Sequence, residues 1–153
     1  MKIRIGIVTL LSAVLVLASG AQSADYDKVK KERKALMKSL SKENKALKKA
    51  AKGLDPVATE MLARTLASGF ANIANPCLFP RGSGPGSRSK PAVWENWPDF
   101  EEKSKNARKL ALLIAAQAKA GNMGEASNLA GKLGKQTCSS CHKLYRAKKK
   151  KKK

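Results

Sequence analysis

Acidic residues are scarce in this sequence: 11 Asp and Glu stand against 32 Lys and Arg, for a formal charge of +21. A surface so one-sided draws anionic partners and leaves the fold open. Aromatic residues are only 5% of the chain, and there is one histidine, His142. Three cysteines are too few for a disulfide-stapled scaffold. No segment alternates apolar and polar residues over a useful length, which argues against a sheet. Prolines are rare outside one stretch. Five of the six lie between Asn75 and Pro98, together with Gly82, Gly84 and Gly86, and mark that stretch as a long surface connection. Long apolar runs are absent after the first 24 residues. At 153 residues the chain suits one domain.

The exception is the start. Lys2 and Arg4 precede the apolar run Ile5–Ala18 and then the small residues Ser19, Gly20, Ala21, Ser23 and Ala24. That order reads as a signal peptide over residues 1–24, cleaved after Ala21 or after Ala24. A retained anchor is the alternative, but the run is shorter than the roughly 20 residues that a span requires. The expectation is export to the periplasm, leaving a soluble domain over residues 25–147 and a lysine-rich tail, Lys148–Lys153.

Four blocks carry helical periodicity. The first, about Asp25–Gly53, aligns Val29, Leu36, Leu40, Leu47 and Ala50, and Gly53 fits its stop. Asp55-Pro56 fits an N-cap and first helical residue, opening a block with Val57, Met61, Leu62, Leu66, Phe70 and Ile73 that Pro76 ends. A third starts near Pro98-Asp99 and carries Phe100, Ala107, Leu110, Ala111, Ile114 and Ala118. Gly121-Asn122 breaks it. The fourth, about Met123–Arg146, has Ala126, Leu129, Leu133, Cys141 and Leu144. The fold class read from this is all-α, an antiparallel four-helix bundle with two short turns and one long loop.

Two of the three cysteines and the only histidine fall within five residues, Cys138-Ser139-Ser140-Cys141-His142. CxxCH is the spacing for covalent attachment of haem c. On a helix, residues three and four apart share a face. Two thiols can form thioethers with the haem vinyl groups while His142 reaches the iron as axial ligand. A redox CxxC would follow a strand, and a zinc site lacks a fourth ligand, Cys77 being the only other candidate. A surface disulfide is the plain structural alternative. The expected cofactor is one covalent haem c. With His142 on iron and no paired carboxylates, no acid–base machinery remains, so the chain is not expected to be an enzyme.

Cys138, Cys141, His142, Tyr145 and Arg146 on a last helix make the chain similar to the cytochrome c′ family, including its cytochrome c556-like members. Arg33-Lys34-Ala35-Leu36-Met37-Lys38 resembles the family's first helix, and Leu78-Phe79-Pro80 with Ser89–Trp94 resembles its long loop. Lys34 and Ala92 depart from the family's usual Gln and Glu. The resemblance implies that Arg33, Lys34, Arg88 and Lys90 are candidates for contact with the haem propionates, an exposed surface arginine being the alternative for Arg33. It also implies that Met37 lies over the distal face, as a second axial ligand or only as a cover. Met61 and Met123 read as packing, and Trp94 and Trp97 as pins holding the loop to the bundle. Cys77 reads as a link between two chains in a homodimer, or as a buried or modified thiol. The lysine tail reads as a solvated extension or as a docking patch for an acidic partner or anionic lipid.

Two functions follow. One is a periplasmic electron-transfer cytochrome that meets acidic redox proteins. The other is a five-coordinate cytochrome c′ that binds nitric oxide or carbon monoxide. Nucleic acid is not expected as a partner, since no recognition module is visible.

Overall fold

The computed structural model describes residues 19–149, with side chains from Asp25 onward. Residues 1–18, most of the segment read as a signal peptide, and residues 150–153, the end of the tail, lie outside the described residues. The helices are α1 (Ser19–Lys52), α2 (Pro56–Ala71), a short α3 (Ala92–Glu95), α4 (Trp97–Lys119), α5 (Met123–Leu133) and α6 (Ser140–Tyr145). A π-helical segment, Gly134–Ser139, joins α5 to α6 without a break in the helical path. Among the described residues there is no strand, and no helix is long and apolar enough to cross a membrane. The all-α four-helix bundle is therefore the observed fold, its fourth member being α5, the π segment and α6 together.

α1 begins at Ser19, earlier than the periodicity suggests. α2 starts as expected, with the Asp55 carboxylate accepting from the Ala58 N–H at 2.9 Å and Pro56 in the first turn. It stops at Ala71 rather than running to Pro76. Asn72 ends it, its side-chain amide donating to the Ser68 carbonyl. Ile73 is nevertheless buried. The core is built from small residues and a few large ones. Ala63, Leu66, Ala67 and Phe70 of α2 meet Phe100, Ala107, Ala111, Ile114 and Ala118 of α4, all buried. Alanines let these two helices approach closely, and the Ser104 hydroxyl donates across to the Phe70 carbonyl. α1 crosses α2 at Gly69, where an added Cβ would stand 2.6 Å from Leu40 Cδ2.

Three residues of the expected core are outside it. Val57 is 76% exposed, Met61 61% and Leu144 50%. Val57 and Met61 point away from the buried face of α2, so Met61 is not a packing residue; Met123 does pack against the core. Leu144 has a different cause. A π turn advances the chain by five residues per hydrogen bond instead of four, which acts like a one-residue insertion in the α register. The inward position after Leu133 therefore moves from Leu144 to Tyr145, which is buried. Hydroxyls support the wide turn. Thr137 Oγ1 donates to the Leu133 carbonyl at 2.7 Å, and Ser140 Oγ donates to the Gln136 carbonyl at 2.7 Å. Side chains entering the backbone ladder in this way open it locally.

The turn after α1 holds a second departure. The Asp55 N–H reaches the Ala50 carbonyl and the Leu54 N–H reaches the Ala51 carbonyl, the pair of bonds that closes a Schellman cap. The left-handed position of that cap falls on Leu54 (φ 55°), one residue after Gly53. A side chain there costs about 1 kcal/mol, and Leu54 is exposed, so it returns little by burial. Leu54→Gly is expected to stabilise the protein by about 0.5–1 kcal/mol, measured by chemical denaturation. A destabilised variant would mean that Leu54 is covered in solution.

Candidate haem-binding site

Cys138 sits in the π segment, and Cys141 and His142 sit in the first turn of α6. All three are half-buried. The two thiols are not joined in a disulfide, and neither is Cys77. Burial pushes the Cys141 thiol up to about 11, with Cys138 and Asp99 adding to the rise and Lys103 opposing it. A reactive redox thiol needs a lowered pKa, and Cys141 moves the other way. Burial, helped by Arg146 and Arg88, lowers the His142 pKa. At neutral pH the imidazole is uncharged, which is the form that ligates iron.

A loop clamps the end of this helix. The Lys90 N–H donates to the Tyr145 carbonyl at 3.0 Å, and the Ala147 N–H donates to the Arg88 carbonyl at 2.8 Å. Ser89 and Arg146 thereby form an isolated antiparallel bridge. Lys90 Nζ donates to the Lys143 carbonyl at 2.9 Å, and Arg88 Nε and Nη2 both donate to the Ala147 carbonyl. The last carbonyls of a helix have no partner within it and carry its negative dipole end. Lys90 supplies a hydrogen bond and positive charge there, while Arg88 holds the chain just beyond the helix end. These two candidates for propionate contact tie the loop to the end of the last helix.

Arg33 is not the exposed surface arginine that is the alternative for it. It is 5% exposed, not a surface residue, and its guanidinium donates to Ser83 Oγ at 3.0 Å and to the Ser83 carbonyl at 2.7 Å. It also stands 4.8 Å over the Phe79 ring. Burial lowers its pKa below the usual guanidinium value. Among the described residues no carboxylate pairs with Arg33. A buried cation without a counter-charge is costly, and an anionic propionate is the complement it lacks. Lys34, by contrast, is exposed on the outer side of α1, one residue on and about 100° around the helix. Met37 is half-buried and packs against the core one turn beyond Arg33.

Aromatic side chains line the same region. Phe79 touches Trp94, Trp97 and Phe100, and Phe100 meets Tyr145 edge-on with centroids 5.1 Å apart. Trp94 Nε1 donates to the Phe79 carbonyl at 2.9 Å within the loop, and Trp94 and Trp97 both pack against the core. Gly82 holds φ +86°, and a Cβ there would meet Tyr26 Oη at 3.0 Å. That hydroxyl ties α1 to the loop through the Arg81 carbonyl. Cys77 is exposed in the loop, which removes the buried-thiol alternative. The periodicity gives no hint of Ser83 or of the pairing of Tyr145 with Asp99.

The Tyr145 hydroxyl donates to Asp99 Oδ2, and Lys103 lies 3.4 Å from the same carboxylate. The Tyr145 bond, with Lys103, holds Asp99 below its ordinary range. Burial first, and then the Asp99 bond and charge, raises Tyr145 well above its ordinary value. A depressed carboxylate contributes stability above its unfolded pKa of about 4, lost as pH falls through the folded value. A raised tyrosine contributes below about pH 10, and the contribution fades as pH rises beyond that. Tyr145→Phe is therefore expected to flatten both limbs of a Tm-against-pH curve. Curves of unchanged shape would mean the contact has no net effect.

The donor set fits covalent haem: two unpaired thiols at CxxC spacing, a neutral imidazole beside them, an aromatic wall and a buried cation without a counter-ion. Residues 16–146 match the family described as cytochrome c′. Among curated proteins, the chain is 32% identical over 144 residues to a cytochrome c-556 of Agrobacterium fabrum, covering 92% of this chain and 96% of that one. It is 33% identical over 119 residues to the cytochrome c-556 of Agrobacterium tumefaciens strain II Chrys, covering 77% and 96%. Among solved structures, a cytochrome c′ described as from "Rhodobacter Spheriodes" superposes with a TM-score of 0.69 at 26% identity, over 81% of this chain and 98% of that one. A nitric oxide complex of a variant cytochrome c prime from Alcaligenes xylosoxidans shares the fold, with a TM-score of 0.69 at 22% identity over 81% and 97%. Members of this family carry one covalent haem c, and Cys138 and Cys141 stand in the CxxCH motif consistent with its attachment. The chain belongs to the cytochrome c′ family.

Proposed function

We propose that this haem c protein is an exported, periplasmic electron carrier and not an enzyme. The observation that carries the reading is Met37, half-buried against the core one turn from the buried Arg33. A thioether there would be available to the iron as a second ligand, and such ligation would raise the potential and close the iron to other ligands. The haem supplies one-electron cycling between ferric and ferrous iron. The chain's own residues hold His142 neutral, offer Arg33 to the propionate charge, and exclude water with Phe79, Phe100 and Tyr145. Holding the last helix rigid through Lys90 and Arg88 limits rearrangement between redox states. The excess of basic residues favours acidic redox proteins as partners.

A gas-binding role is the second reading, favoured by the nitric oxide complex of the Alcaligenes xylosoxidans protein that shares this fold. The two readings separate on the native holoprotein. A carrier is expected to be low-spin in the ferric state, with a weak far-red band and little affinity for carbon monoxide. A high-spin ferric spectrum with ready carbon monoxide binding would replace the carrier with the gas binder.

A further inference from the structure

α1 carries a ridge that the haem site does not use. Lys34, Lys38, Lys42, Lys45, Lys49 and Lys52 recur at spacings of three and four, and every one is exposed. At about 100° per residue they fall within an arc of roughly 80°, on the side of the helix opposite the buried Arg33, Leu40, Leu47 and Ala51. The row runs roughly 27 Å along one helix at 1.5 Å per residue. None of the six forms an ion pair among the described residues. Neighbouring lysines are about 4.5–6 Å apart along the axis, closer than the roughly 8 Å screening length, so their potentials add.

We propose that this ridge seats the protein on a bilayer surface containing anionic lipid. A straight row of long, flexible cations matches a plane of negative headgroups, which can meet all six at once. The row ends at Lys52, and the exposed Leu54 follows in the turn and Val57 and Met61 at the start of α2. Basic residues leading into exposed apolar ones is the composition of an interfacial contact. An electron-transfer partner is the poorer occupant. It would face the outer side of α1, with the helix, about 10 Å across, between it and the residues of the haem site. A second copy is poorer still, because two such ridges repel. Seated this way, the chain keeps its haem side turned from the lipid. The inference does not depend on whether the haem carries electrons or binds gas.

The test is co-sedimentation of the holoprotein with vesicles of phosphatidylcholine containing 30% phosphatidylglycerol, against vesicles of phosphatidylcholine alone. Binding is expected only with the anionic lipid and is expected to fall as salt is raised. Each ridge lysine removed is expected to weaken binding about fivefold, so Lys38→Gln, Lys42→Gln and Lys45→Gln together weaken it about a hundredfold. Lys109→Gln, Lys119→Gln and Lys132→Gln, also exposed, remove the same charge elsewhere and are expected to cost twofold at most. Equal losses in the two triple variants would reduce the ridge to net charge and overturn the proposal. So would equal binding to both kinds of vesicle. A ridge variant that binds vesicles normally but is reduced slowly by an acidic redox protein would reassign the ridge to a protein partner. The absorption spectrum of each variant reports separately on the haem site.

Discussion

Met37→Ala is expected to convert a low-spin ferric protein to high-spin and to abolish its weak far-red band. The thioether lies on the face of α1 that carries the buried Arg33, and no methionine or histidine follows His142 in the chain. A thioether bound about 99% of the time lowers the apparent carbon monoxide affinity about a hundredfold, and its removal restores that factor. Stability is expected to change by only about 1–2 kcal/mol, below the range for a fully buried methionine, because Met37 is half-buried. A spectrum and a carbon monoxide affinity both untouched by the substitution would remove Met37 from the distal face. A protein that is high-spin before the substitution, and binds carbon monoxide faster after it, would leave Met37 as a cover.

Arg33→Ala is expected to cost about 2–4 kcal/mol and to lower Tm by on the order of 10 °C. The guanidinium makes two charge-assisted bonds to Ser83, which is fully buried, and lies over Phe79. Truncation leaves the Ser83 carbonyl without that donor in a site closed to water. Ser83 Oγ keeps its own bond to the Pro80 carbonyl, so the loop is loosened rather than released. Arg33→Met keeps the apolar stem and removes the charge. If the charge answers a propionate, Arg33→Met lowers the stability of the holoprotein much more than that of the haem-free chain. Equal losses in both forms would confine Arg33 to its loop contacts. Amide exchange in residues 78–87 is expected to quicken in either variant, and unaltered exchange with a small change in Tm would show the contact to be idle.

Much of the haem site is local, and local features are legible in a sequence. Cys138, Cys141 and His142 lie within five residues, so their spacing alone names the chemistry. The four helical blocks follow from a period that any short window contains, and the Asp55-Pro56 start follows from capping chemistry within two residues. Errors arose where the period itself changes. One π turn shifted the register of the last helix, placed Tyr145 inward and left Leu144 outside, because a window that assumes 3.6 residues per turn cannot register an added residue. At the end of α1 the sequence marks the stop, Gly53 directly following Lys52, but not the left-handed residue Leu54, because hydrogen-bond closure, not composition, decides which residue turns left-handed.

The remaining contacts join residues far apart in the chain. Arg33 meets Ser83, Asp99 meets Tyr145, and Arg88 meets Ala147 across separations of 50, 46 and 59 residues. No spacing rule links such pairs, and an arginine in a lysine-rich helix looks exposed until a loop closes over it. The sequence by itself determined the helical class, the attachment of haem and the side of α1 that faces water, since each depends on neighbours within a few turns. Only the tertiary structure decided which cation is buried, which carboxylate the last tyrosine meets and which loop caps the last helix. Those depend on where the long loop lies across the bundle, and that is set by the summed packing of Phe79, Trp94, Trp97 and Phe100 rather than by any one residue.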